Sequence, residues 1–196
     1  MIITRSANNF GPYQFPEKVI PLFITNLIEE KKVPLMWSEE NPGLNVRDWV
    51  HVEDNCRAIW FIYKNGQNKE IYNISNGDEK TNIYMTKLIL NCFNAGEEMI
   101  EKIPHRKAHD FRYSIKGDKL KNLNFKYNHS NLEEEIENLV KWYKSNETWW
   151  KPLKQSKSEK GIIFGEGYLG TKLRDFLGYS STKLNPLNLE KLKEFL

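Results

Sequence analysis

Ile2-Ile3-Thr4-Arg5-Ser6-Ala7-Asn8-Asn9-Phe10-Gly11-Pro12-Tyr13-Gln14-Phe15-Pro16-Glu17-Lys18 decides how this chain reads. Met1 to Thr4 is short and β-branched, which suits a buried strand. A polar loop follows, and Pro16 marks a helix entry, where its missing N–H costs nothing. Val19, Ile20, Phe23, Ile24, Leu27 and Ile28 then recur at helical spacing. Asn8 and Asn9 close the strand, and each amide offers a donor and an acceptor to a ligand. Asn ahead of Phe-Gly-Pro is equally an ordinary turn signal. Lys18 at a helix start opposes the helix dipole unless an anion uses both, although a solvated surface lysine has the same spelling.

Working outward, Pro34 to Trp37 and Asn45 to Val52 read as strands. Asp54 to Lys64 reads as a helix with Ile59, Ile62 and Tyr63 on its packing face, ended by Asn65-Gly66. Glu70 to Ile74 is a strand whose exit turn is Ser75-Asn76-Gly77-Asp78. Asn82 to Phe93 is a helix, and Ser130 with Glu133 forms a capping box that opens another, marked by Leu132, Ile136, Leu139, Val140 and Tyr143. Lys151 to Lys160 is polar, and its centre, residues 154–159, reads as a linker. Gly161 to Phe164 is an apolar strand, and Tyr168 to Leu177 a helix.

The chain has 196 residues, 39% hydrophobic and 28% charged, which is a globular composition. Net charge is only +3 and the charges are interleaved, so no nucleic-acid partner is expected. Cys56 and Cys92 fall in apolar helical patterns and read as buried free thiols. There is no apolar run of membrane-spanning length and no signal-like stretch, so the expected location is cytoplasmic.

Three further stretches carry chemistry. Val46-Arg47-Asp48-Trp49-Val50-His51-Val52-Glu53-Asp54 contains Arg47, whose guanidinium can grip a diphosphate through parallel hydrogen bonds or pair with Asp48. Asp48, Trp49 and Asp54 read as a strand-end carboxylate, a core aromatic and a helix cap. His105 and His109 are four residues apart, but no nearby Glu completes a zinc pattern, so no metal is expected. Gly165, Gly167 and Gly170 spell G-x-G-x-x-G between the predicted strand and helix, a dinucleotide fingerprint or a ligand-free glycine turn.

Taken together, these motifs resemble the dTDP-glucose 4,6-dehydratases, extended short-chain dehydrogenase/reductases that act on nucleotide sugars. The resemblance covers about Ile2 to Leu153 and only the substrate-binding half. It implies an α/β, Rossmann-like fold and assigns roles residue by residue. Asn8 would contact the sugar nucleotide and Asn9 the NAD. Lys18 and Val19, the strand Pro34-Leu35-Met36, Arg47, Asn82, Arg106 and His109 would contact the dTDP-sugar. Met36 stands where the family has a stacking aromatic, Ser75 and Asn76 replace two glycines, and Lys107-Ala108 replaces Pro-Gly. The changed turn suggests a left-handed Asn76.

The family's cofactor half precedes this region. Its fingerprint, Thr-Asp-Glu group and Tyr-x-x-x-Lys pair do not occur within residues 1–150. Residues 160–196 resemble the truncated start of a dTDP-4-dehydrorhamnose reductase, with NADP or NAD expected at its glycine-rich loop. The expectation is a nucleotide-sugar-binding unit (1–153) of deoxysugar, dTDP-rhamnose, synthesis that is inactive alone. It competes with a subunit completed by a second chain, a non-catalytic remnant, and a related epimerase.

Overall fold

The computed structural model describes residues 1–108 and 110–155. Expectations for His109, Gly165, Gly167, Gly170, most of the linker and the second glycine-rich unit lie outside the described residues. Met1–Lys154 forms one compact unit.

Its elements run β1 (Ile3–Ser6), β2 (Asn8–Phe10), α1 (Val19–Ile28), β3 (Val33–Met36), β4 (Val46–His51), α2 (Val52–Asn65), β5 (Ile71–Ile74) and β6 (Glu79–Thr81). Then come α3 (Asn82–Asn91), a 3-10 turn, β7 (Ile100–Ile103), β8 (Arg112–Tyr113), α4 (Asp118–Asn122), α5 (Leu132–Ser145) and α6 (Glu147–Gln155). Pairing is mostly parallel: β1 with β5, β2 with β4, β3 with β7 and β8 with β4, while β6 joins β4 antiparallel. Parallel strands need crossover connections, which α1 and α2 supply after β2 and β4.

Two cores hold the unit. Phe23, Ile24 and Leu27 of α1 meet Ile89 of α3, Ile136, Leu139 and Tyr143 of α5 and Trp150 of α6 in the larger one. Val50, Ala58, Ile62, Tyr72, Ile74, Leu120 and Phe125 make the smaller one between β4, β5, α2 and α4. Trp49 is buried in the larger core, as expected.

Several expectations need correction. β1 is exposed along its whole length rather than buried, because β5 is its only strand partner among the described residues. Pro16 is buried in a turn, and α1 starts three residues later with Lys18 as N-cap. The buried face of α2 is Asp54, Ala58 and Ile62 at i, i+4 spacing, which turns Cys56, Ile59 and Tyr63 outward. Cys92 is half-buried. The cap of α5 is Asn131, whose side chain accepts the Glu134 N–H; Ser130 lies one residue too early, and Glu133 instead receives the Tyr84 hydroxyl from α3. The left-handed residue of the 75–78 turn is Gly77 (φ 76°), not Asn76. α6 runs through Pro152 to Gln155, so the first part of the polar 151–160 stretch is helix. Lys154 is held there by Glu29 at 2.8 Å and Asn26 at 2.8 Å, and Trp150 is fully buried. No helix among the described residues is long and apolar enough to cross a membrane.

Candidate functional site

The Asn pair sits where β2 runs beside β4, with Asn8 opposite Trp49 and Asn9 opposite Val50. The chain then turns at Gly11 (φ 144°), where a Cβ would come within 2.6 Å of Val52 Cγ1. No other residue fits that approach. Gln14 reaches back to donate to the Asn9 carbonyl at 2.8 Å, and Tyr143 donates its hydroxyl to the Gln14 carbonyl at 2.7 Å. The loop is thereby tied to both the sheet and α5.

Asn8 faces a hollow of about 290 Å³ that Ser6, Ala7, Arg112, Tyr113, Ser114 and Ile115 complete. Next to it lies Arg47, only 5% exposed. Its guanidinium donates to the carbonyls of Val46 (2.6 Å), Phe111 (3.2 Å) and Asp110 (3.1 Å), and lies 4.2 Å from the centre of the Tyr113 ring. Burial holds its pKa below the usual arginine value. The alternative reading, a pairing with Asp48, does not form, because neighbours on a strand point to opposite faces. Asp48 is itself buried mid-strand, not at a strand end, and receives the Ser75 hydroxyl. Burial raises its pKa even though Ser75 and the Gly77 N–H oppose the rise.

The Arg112–Ser114 side of the hollow is fixed by Glu79. Arg112 donates to it through Nε (2.7 Å) and a terminal nitrogen (2.6 Å), and Ser114 Oγ donates at 2.7 Å. The Arg112 bonds, then Ser114, hold the Glu79 carboxyl down to about 2. A hydrogen bond to Asp110 raises the Tyr113 phenol. Glu79 was legible only as part of a motif, since its partners stand more than 30 residues away in the chain.

Other anticipated site residues are placed apart from this hollow. Lys18 is exposed at the cap of α1, and Val19 half-buried beside it. Leu35 is 2% exposed and belongs to the interior, while Pro34 and Met36 point to the other face of β3 and are half-buried. Asn82 starts α3, and its N–H bonds the Asn45 carbonyl at 2.9 Å, one residue from Val46. Arg106 is exposed. His105 contacts the Asn41 carbonyl through Nε2 at 3.0 Å.

Asn9 is partly buried beside Asn8. Its Nδ2 bonds the Ala7 carbonyl at 3.4 Å, and its Oδ1 is buried without a protein partner. A buried acceptor of this kind suits a ligand donor.

Sequence reasoning missed a second polar cluster. His51 and His129 stack at 4.2 Å, His129 Nδ1 meets Glu135 at 2.8 Å and its Nε2 meets Glu53 at 3.2 Å. His51, His129 and Glu135 present ligand-type atoms within 4.8 Å of one another. The stacked rings aim their lone pairs along separate planes, and His51 Nδ1 accepts the Glu53 N–H, which leaves the proton on Nε2. The cluster forms a hydrogen-bonded junction between α2 and α5. Asp54 is not the cap of α2, a position taken by His51; its carboxylate accepts the N–H groups of Asn128 and His129 and pairs with Arg57.

Comparison with known proteins fits this geometry. Residues 1–75 match the NAD dependent epimerase/dehydratase family. The dTDP-glucose 4,6-dehydratase of Streptomyces niveus is 40% identical over 162 residues, covering 82% of this chain and 47% of that protein. The solved dTDP-glucose 4,6-dehydratase of Bacillus anthracis str. Ames, in complex with NAD, superposes with a TM-score of 0.71 at 43% identity, covering 78% of this chain and 47% of its own. DesIV, a dTDP-glucose 4,6-dehydratase of Streptomyces venezuelae solved with NAD and TYD, gives a TM-score of 0.73 at 41% identity, covering 78% and 46%. The chain thus spans about half the length of the relatives it matches. The described unit is therefore similar in sequence to the dTDP-glucose 4,6-dehydratases and has the parallel α/β architecture of the dehydratase/epimerase fold.

Proposed function

We propose that residues 1–154 bind a nucleoside diphosphate sugar of the dTDP class, as the substrate half of a sugar-nucleotide dehydratase. The observation that carries this reading is the meeting of Asn8, Arg112 and Tyr113 around one hollow, with the Arg47 cation directly beside it. Amide, phenol and guanidinium groups supply the hydrogen bonds and the charge that a sugar and a diphosphate need. Asn9, with its unpartnered Oδ1, would hold NAD, and bound NAD would supply the hydride acceptor. The protein's own part is then to orient the sugar nucleotide against that cofactor and to exclude water with the loop that Gln14 and Tyr143 pin.

A second chain carrying the cofactor half is part of the proposal. The exposed β1, together with Ile59 (43%), Trp60 (62%) and Tyr63 (69%) on the outer face of α2, is the kind of surface a partner covers. The 196 residues expressed alone should not convert dTDP-glucose with added NAD, because no base and lysine pair of the family's pattern lies in residues 1–150. Turnover by preparations free of host dehydratase would overturn the half-enzyme reading. Native mass spectrometry tests the partner: a complex with a second chain supports it, and the chain alone from its native source contradicts it.

A further inference from the structure

Arg47 is the cation best suited to a diphosphate, yet it is buried. One short strap, Asp110 to Ser114, lies against its guanidinium. Two strap carbonyls accept from the guanidinium and Tyr113 lies across it. The strap is attached to β4 by the two-residue pairing Val46↔Arg112 and Arg47↔Tyr113, and by the Val46 N–H to Phe111 carbonyl bond of 2.8 Å. So short a pairing is weak by itself. Side chains also hold it: Asn45 Nδ2 donates to the Asp110 carbonyl at 3.3 Å beside the Arg47 bonds, and from another strand Glu79 takes both Arg112 bonds and the Ser114 hydroxyl.

We infer that Glu79 is a positioning residue that latches the strap and thereby controls access of an anionic ligand to Arg47. The inference rests on the reading of Arg47 as the diphosphate-binding group. Release of Arg112 and Ser114 lets the strap lift, removes Tyr113 from the guanidinium and frees donors that now serve the Asp110 and Phe111 carbonyls. Diphosphate oxygens can replace those carbonyls as acceptors, and charge-assisted bonds of this kind are the stronger ones. Glu79 accordingly sets how readily the site opens.

Phenylglyoxal modification, read by peptide mass spectrometry, tests the latch without any nucleotide. In the unaltered chain Arg47 should react far more slowly than exposed Arg106, the internal reference. In Glu79→Gln the Arg47 rate should rise about fivefold, the change expected when one partly exposed ion-pair anchor of a local opening is lost, with Arg106 unchanged. Arg112→Lys, which cannot form the two-pronged contact, should raise it as well, and circular dichroism should show both variants folded. An Arg47 rate equal to that of Arg106 in the unaltered chain, or unmoved by both substitutions, overturns the inference. In a second arm dTDP should protect Arg47, and protection should appear at lower dTDP in Glu79→Gln. A released Arg47 that dTDP never protects would leave the latch standing but defeat its role in ligand access, and with it the nucleotide reading.

Discussion

Ala108 stands where related sequences are expected to carry glycine, and its φ is 54°. A side chain in that left-handed region costs about 1–2 kcal/mol, and part of this is offset because alanine narrows the unfolded ensemble. Ala108→Gly should therefore raise stability by about 0.5–1 kcal/mol in urea unfolding; a loss would show that the methyl group is used. Asp54 belongs to the opposite class. Its buried carboxylate accepts two neighbouring N–H groups, at 2.8 to 3.0 Å, and pairs with Arg57. Asp54→Ala should cost about 3 kcal/mol, since it orphans buried donors, and a cost within about 0.5 kcal/mol would refute that role. The two residues also show what was legible. The substitution at 108 stands out against the motif around it, whereas the backbone N–H partners of Asp54 lie 74 and 75 residues away, so its position next to a helix start suggested a cap instead. Arg47 was visible as a chemical group, but not as a buried one, because its cover comes from a distant strap.

Elements were legible where periodicity is strong. β3, β4, β5, α2 and α3 fall within a few residues of their expected bounds, because apolar spacing and turn residues agree there. Faces were less legible. α2 carries apolar residues on two sides, and only packing against β4 and β5 chooses Ala58 and Ile62 over Ile59 and Tyr63. α6 was hidden because Pro152 and lysines spell a linker, while Trp150 and Lys154 find partners on α5 and α1 that no local pattern reveals. The junction of α2 and α5 gives a pH prediction. Burial lowers the His129 pKa, but the Glu135 hydrogen bond and the charges of Glu135, Asp54 and Glu53 outweigh it and raise it overall. A raised histidine contributes stability that is full below its unfolded value of about 6.5 and is lost as pH climbs through the folded value. Burial and then His129 lower the His51 pKa, so its contribution is lost as pH falls below the same point. Glu135→Gln removes the main support of His129 and also the attraction of Glu135 for His51, both of which act on the protonated rings. Its penalty in urea midpoints should be larger at pH 6 than at pH 8.5, and an equal penalty at both would contradict the junction's charge.

At the scale of the molecule, the compact unit Met1–Lys154 has a large core of its own and an exposed face that includes β1 and the outer side of α2. The core predicts a cooperative melt, and the open face predicts concentration-dependent association. Sedimentation at low micromolar concentration should show species larger than a monomer, and charged substitution of Trp60 and Tyr63 should reduce them. A compact monomer at every concentration would mean that the face needs no cover. The motifs announced a nucleotide-sugar site as a whole, but not its closed state, since strap, latch and cation are brought together from β8, β6 and β4. The central claim is that this fold retains a working diphosphate site. Titration calorimetry with dTDP on the unaltered chain and on Arg47→Ala tests it most directly. Binding by the unaltered chain should be saturable and should weaken by about 2–5 kcal/mol in the variant. Equal, weak and salt-sensitive binding by both proteins would contradict it.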